Sequence, residues 1–221
     1  MGTEICEIGN YAYFCIFNIS CGEIMKYTID TILPHLIEVH SREEFYNWMT
    51  AHHDTERECW VRSNRSEKPF PNTIWYVDAV EVALCFGWVD STQKRIDDGK
   101  PIQRFSPRRK GGIWCEQNVE RCRRLIRLGE MTPAGMAVLP DMDPGHFVFY
   151  DWVLDAIKSD SVAWECFQKF PDAYKRIKIW RIQHYEDTKR HDEAVRTLDK
   201  FIHDTHNGKM QGGWNDGGRL R

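Results

Sequence analysis

Residues 73–93 read TIWYVDAVEVALCFGWVDSTQ, and this stretch decides the fold because its patterning changes from helical to extended. Apolar residues recur at a helical spacing and predict a helix from Thr73 to Phe86. Gly87 suits the position after a helix end, where a left-handed backbone favours glycine. Residues 88–93 then read as a strand. The stretch therefore predicts a helix that leads directly into a strand.

Two flanking segments supply the rest of a small predicted sheet. Residues 58–63 read as a strand, and residues 101–106 read as a return strand after the turn signal Asp97-Asp98-Gly99. A capping box, Ser41 to Glu44, begins a further helix. Together these elements predict an α+β core at residues 25–140, with a small antiparallel sheet packed by helices.

The pattern after residue 146 is helical. Four helices are predicted, at residues 147–159, 161–170, 171–185 and 186–206, and they form a helical C-terminal subdomain at residues 147–207. Residues 208–221 contain five glycines and are predicted to form an irregular tail. Residues 1–24 are interpreted as an N-terminal extension, with a misassigned start as one reading and an edge strand or cap as the other.

Composition places the chain among globular proteins. Hydrophobic residues make up 42% of its 221 residues, and a formal net charge of -3 argues against general binding of polyanions. Eight cysteines without a Cys-x-x-Cys pair favour free thiols in a reducing compartment over a disulfide framework. The longest apolar patch, residues 11–19, is far shorter than the ~20 residues of a membrane span. We therefore expect a cytoplasmic protein.

The segment from Lys94 to Arg127 is strongly basic. It holds eleven Lys or Arg residues against four acidic ones, a local charge of +7, so the remaining residues sum to −10. Arginine suits bidentate contact with phosphate or carboxylate, and the loop at residues 108–112 leads into a predicted helix N-terminus, which favours anions. Two interpretations remain open: these arginines bind an anionic ligand, or they pair with the protein's own acids.

Seven residues form the predicted ligand site, and one of them, Asp90, is also a candidate general base. These residues are Trp88, Asp90, Arg104, Arg108, Arg109, Trp114 and Asn118. No metal site is predicted, because His203 and His206 lack a third ligand. No Walker loop or Gly-x-Gly-x-x-Gly motif occurs, so no cofactor is predicted.

Several blocks of this region resemble the YdeI/OmpD-associated family. The resemblance rests on residues 81–90 and 103–109, on Trp114 and Asn118, and on residues 129–135. It extends over roughly residues 37–208 and implies a role in bacteriocin protection or tolerance of cationic peptides.

Three functions follow as hypotheses. The first is a non-enzymatic protein that binds an anionic small molecule or an acidic partner protein. The second is an enzyme for a phosphorylated or nucleotide substrate, with Arg108 and Arg109 holding phosphate and Asp90 as general base. The third is nucleic-acid binding, which requires a continuous basic stripe.

Overall fold

The structure is a computed structural model that describes residues 28–66, 71–96 and 99–221. The predicted extension at residues 1–24 and the Asp97-Asp98 part of the predicted turn lie outside the described residues. Within the described ranges the fold is α+β, with a sheet of five strands and nine α-helices, which confirms the predicted class.

The strands are β1 (Leu36–Ile37), β2 (Cys59–Asn64), β3 (Ile74–Trp75), β4 (Trp88–Arg95) and β5 (Pro101–Pro107). The helices are α1 (Ile29–Ile32), α2 (Arg42–His52), α3 (Tyr76–Cys85), α4 (Glu116–Arg127), α5 (Pro133–Met136), α6 (Asp151–Lys158), α7 (Ser161–Lys169), α8 (Asp172–Asp187) and α9 (His191–His206).

The sheet has the order β1-β2-β5-β4, and β3 also pairs with β2. The three longer strands are antiparallel, as predicted, while the two-residue strands β1 and β3 add parallel pairs, so that the sheet is mixed. Because Ile74 and Trp75 pair with β2, α3 begins at Tyr76, three residues later than predicted. Gly87 adopts a φ of 74° and ends this helix in the predicted way.

The two faces of the sheet are covered differently. On one face Phe105 and Cys59 pack against α2, α3 and α4 in the larger hydrophobic core. On the other face Trp60 and Ile102 pack against Ile32. Alternate residues of a strand point to opposite faces, so the register decides which predicted site residues can meet.

A second hydrophobic cluster involves α6 to α9. The predicted helix at residues 147–159 begins only at Asp151, and residues 147–150 lie outside it, with extended backbone at Phe147 and Tyr150. The buried Gln183 side chain of α8 accepts a hydrogen bond from the Tyr150 amide at 3.1 Å and donates one to the Val148 carbonyl at 3.0 Å. These two bonds satisfy one backbone donor and one backbone acceptor of the segment before α6. The predicted domain boundaries stay predictions.

The C-terminal tail has mostly irregular backbone, as predicted, but it is packed. Trp214 and Leu220 are buried in the second cluster. The Asp216 carboxylate accepts hydrogen bonds from Arg121 at 2.7 and 2.9 Å, and Arg219 pairs with Glu81 at 2.6 Å. The tail therefore joins the helices of the second cluster to α3 and α4.

Five described cysteines are free thiols, and all of them except Cys166 are buried. Burial raises the pKa of Cys85 and Cys122 to about 12, so these thiols are protonated at neutral pH. None of the helices within residues 28–66, 71–96 and 99–221 is long and apolar enough to cross a bilayer.

Candidate functional site

The structure does not bring the seven predicted site residues together. Trp88 is a core residue that is 1% exposed, with its ring edge-to-face against Trp48. Its indole nitrogen donates a hydrogen bond to the His53 carbonyl at 3.1 Å. Trp88 therefore packs in the larger hydrophobic core and presents almost no surface of its own.

Asp90 and Arg104 lie on opposite faces of the sheet. Asp90 is the cross-strand partner of Phe105, so it shares the face of Phe105, whereas Arg104 points to the other face. Asp90 is buried and accepts a hydrogen bond from the Tyr76 hydroxyl at 2.5 Å, and its Oδ1 has no hydrogen-bond partner among the described residues. Arg104 pairs with Glu58 at 2.5 Å. Asp90 therefore cannot orient Arg104.

Within the loop at residues 108–114, two of the seven predicted site residues, Arg108 and Trp114, contact each other. The Arg108 guanidinium stacks over the Trp114 ring at 3.4 Å, and Nη1 donates to the Ile113 carbonyl at 3.3 Å. Arg109 is exposed. Asn118 is buried and accepts a hydrogen bond from Arg121 at 2.7 Å, so it supports a protein side chain.

Four arginines of the basic segment are neutralised by the protein's own acids. Arg104 pairs with Glu58 and Arg121 with Asp216. Arg123 pairs with both Glu116 and Glu120, and Arg124 pairs with Glu81. Four of the eleven cations in the basic segment are therefore paired with the protein's own acids, as the second interpretation expects for these residues.

A cleft of about 420 Å³ lies elsewhere, where α7 and α8 meet the extended connector that precedes α6. Its lining consists of aromatic rings, two turn residues and three charged side chains. These residues are Pro144, Gly145, Phe147, Phe149, Phe167, Asp172, Lys175 and Arg176. The volume is within the range of about 300–1,000 Å³ that is typical of small-molecule sites.

Three phenyl rings form the aromatic wall of this cleft. Phe147 and Phe149 are edge-to-face with centroids 4.8 Å apart, and Phe149 is edge-to-face with Phe167 at 6.4 Å. Trp164 stacks behind Phe167 at 5.7 Å. Val148, between the first two rings, is 67% exposed and points away. The extended backbone held by Gln183 therefore places both rings on the side of the cleft.

The two cations of the cleft are held differently. The Lys175 ammonium lies 2.7 Å from the Asp172 carboxylate and 5.6 Å from the centre of the Phe167 ring. The Lys175 hydrogen bond and charge lower the pKa of Asp172, which is 79% exposed. Arg176 instead bonds to the buried carboxylates Glu116 and Glu120.

No residue of the cleft was predicted as a site residue, and the reason is local. The sequence pattern predicts a helix that includes residues 147–150, in which Phe147 and Phe149 would point in different directions. Their alternation with Val148 and the preceding Pro144-Gly145 pair were the available signals of an extended segment. Throughout the described ranges, no group of three or more His, Cys, Asp or Glu side chains is arranged to hold a metal ion.

Comparison with known proteins gives one family match. A family model described as Domain of unknown function (DUF8412) matches residues 37–138. No curated protein and no solved structure matches the chain. The resemblance to the YdeI/OmpD-associated family is therefore wrong, since the matched family, which spans residues 81–90 and 103–109, is a different one. The bacteriocin-protection role rested on that resemblance alone and loses its support.

Proposed function

We propose that the chain is a binding protein for a small aromatic molecule, and that the cleft beside α8 is its binding site. The observation that carries this proposal is the wall of three phenyl rings around a volume of about 420 Å³. Edge-to-face ring geometry is favourable for aromatic groups, and an inserted planar ring extends the same arrangement. The volume suits one or two fused rings.

The cleft is also built on restrained elements. The Gln183 side chain binds the connector through the Tyr150 amide and the Val148 carbonyl. Phe167 belongs to the packed second cluster. A preformed apolar site binds with less loss of conformational entropy than a mobile one. This rigidity favours ligands whose shape matches the preformed cleft.

The alternative functions have weaker support. A phosphate-binding enzyme would need Asp90 beside Arg108 and Arg109, but Asp90 is buried under α3 by its bond to Tyr76. Nucleic-acid binding would need a basic stripe, and four arginines of the basic segment are already paired. Neither reading gives a concave site with several converging groups.

Thermal-shift measurements with benzoate, 2-naphthoate, indole-3-carboxylate and their amides test the proposal. A ligand that binds only the folded state raises the melting temperature. We expect at least one probe to stabilise the wild type and Val148→Ala, but not Phe149→Ala. Val148→Ala is the matched control, because it alters the neighbouring residue that points away from the cleft. The proposal fails if no probe shifts the wild type, or if Phe149→Ala responds equally.

A further inference from the structure

We infer that the ligand of this cleft is an aromatic monocarboxylate whose carboxylate is bound by the Lys175 ammonium, an inference that rests on the proposed function. The cleft combines an apolar wall with one cation, Lys175, that is positioned to bind a ligand. Lys175 lies at the edge of that wall, with its ammonium 5.6 Å from the centre of the Phe167 ring. A ring stacked in the cleft would therefore carry its charged substituent towards Lys175.

Lys175 is the cation that can change partners. Its side chain is 15% exposed, while its partner Asp172 is mostly hydrated. Ion pairs with a solvent-exposed partner contribute little stability, so exchange of Asp172 for a ligand carboxylate has a low cost. Asp172 can then face the solvent.

Arg176 cannot make the same exchange. Its guanidinium bonds to Glu116 and Glu120, and the same two carboxylates bind Arg123. All four side chains are at most 13% exposed, and together they are neutral. Removal of one partner from such a buried network leaves an uncompensated charge, which is strongly unfavourable.

This arrangement disfavours cationic and phosphorylated ligands. The position over the Phe167 ring that an ammonium ligand would take is occupied by the Lys175 ammonium. A phosphate dianion would place two negative charges beside Asp172, with Lys175 as the one exchangeable cation to meet them. A single delocalised negative charge is the best match.

Isothermal titration of four probes with one ring system tests the inference. The probes are 2-naphthoate, 2-naphthamide, 2-naphthyl phosphate and 2-naphthylmethylamine, each titrated into the wild type, Lys175→Met and Asp172→Asn. We expect 2-naphthoate to bind about tenfold more tightly than the amide, as a charge-assisted hydrogen bond implies. Lys175→Met should abolish this preference and keep amide binding, while Asp172→Asn should tighten 2-naphthoate.

The outcomes separate the two proposals. Equal binding of 2-naphthoate and 2-naphthamide, or an unchanged preference in Lys175→Met, overturns the carboxylate inference and leaves the aromatic site intact. Tightest binding of the phosphate or the amine overturns it as well. Absence of binding by all four probes overturns the proposed function itself. Retained amide binding by Lys175→Met shows that this variant is folded.

Discussion

The basic segment at residues 94–127 and the cleft at residues 144–176 hold their cations in different ways. In the basic segment, four arginines pair with five of the protein's own acids, and all of these acids except Glu58 are buried. In the cleft, Lys175 faces an aromatic wall and pairs with a hydrated carboxylate. Part of the high count of cations along the chain therefore reflects structural pairing, whereas the exchangeable Lys175 beside phenyl rings is the basis of the proposed ligand site.

The largest expected effect concerns the buried pair of the basic segment. Asp216→Asn should reduce the free energy of unfolding by about 3–5 kcal/mol, because Arg121 would remain buried without its counter-charge. Asparagine tolerates the positive φ of 49° at this position, so the backbone adds little to the loss. Urea denaturation measures the change. A loss below about 1 kcal/mol would mean that Arg121 does not depend on Asp216.

A second effect concerns Lys178, a buried lysine of α8 that is bonded to the tail. Burial lowers the pKa of Lys178 to about 8, and its ammonium donates to the Gly212 carbonyl at 2.9 Å. Between pH 8 and 10.5 the unfolded chain keeps a proton that the folded chain has released, so stability rises with pH. Relative to Lys178→Met, the wild type should gain up to about 1.4 kcal/mol per pH unit in this range.

Urea denaturation of both proteins at pH 7.5, 8.5 and 9.5 checks this prediction. The buried thiols have raised pKa values, so their contribution to the free energy of unfolding falls as pH rises. Because both proteins contain the same thiols, this contribution cancels in the difference between them. If the free energies of unfolding of the wild type and Lys178→Met differ by the same amount at all three pH values, the pKa of Lys178 is not lowered.

A smaller effect is expected at the Arg104 pair. Burial raises the pKa of Glu58, but the hydrogen bond and charge of Arg104 outweigh it, and the net shift is downward. The pair therefore stabilises the fold above the ordinary glutamate pKa, and this contribution is lost as pH falls through the lower folded value. Glu58→Gln should cost about 1–2 kcal/mol at pH 7 and much less at pH 3. An equal cost at both pH values would exclude the ionic contribution.

The smallest effect should come from the exposed part of the predicted loop. Arg109 and Lys110 are exposed, so Arg109→Ala combined with Lys110→Ala should change the free energy of unfolding by less than about 0.5 kcal/mol. The double variant should also bind 2-naphthoate with the wild-type dissociation constant, measured by calorimetry. A several-fold loss of affinity for 2-naphthoate would show that the loop contributes to ligand binding.

Local signals predicted most of the fold, but they did not predict which residues meet. Gly87 ended α3, and Pro133 began α5, because these backbone preferences act within a few residues. Arg121 and Asp216 are 95 positions apart, and their pairing depends on the path of the tail. One sequence carries no signal for such a distant contact, so the pairing of Arg121 was not predictable, whereas Arg123 and Glu120 are one helical turn apart.

The cleft was missed for a different reason. The connector at residues 147–150 is extended because Gln183, more than thirty positions away, binds its backbone. Helical periodicity in the following residues masked the short alternation of Phe147, Val148 and Phe149. Tertiary hydrogen bonds overrode the local preference at the segment that forms the site.

Amide chemical-shift mapping during titration with 2-naphthoate tests most directly whether the cleft, and not the basic loop, binds the ligand. Ring currents of the bound naphthalene should shift the amides of Phe147, Phe149 and the first turn of α8, and leave residues 108–114 unchanged. Shifts confined to residues 108–114, with none at the connector, would contradict the account.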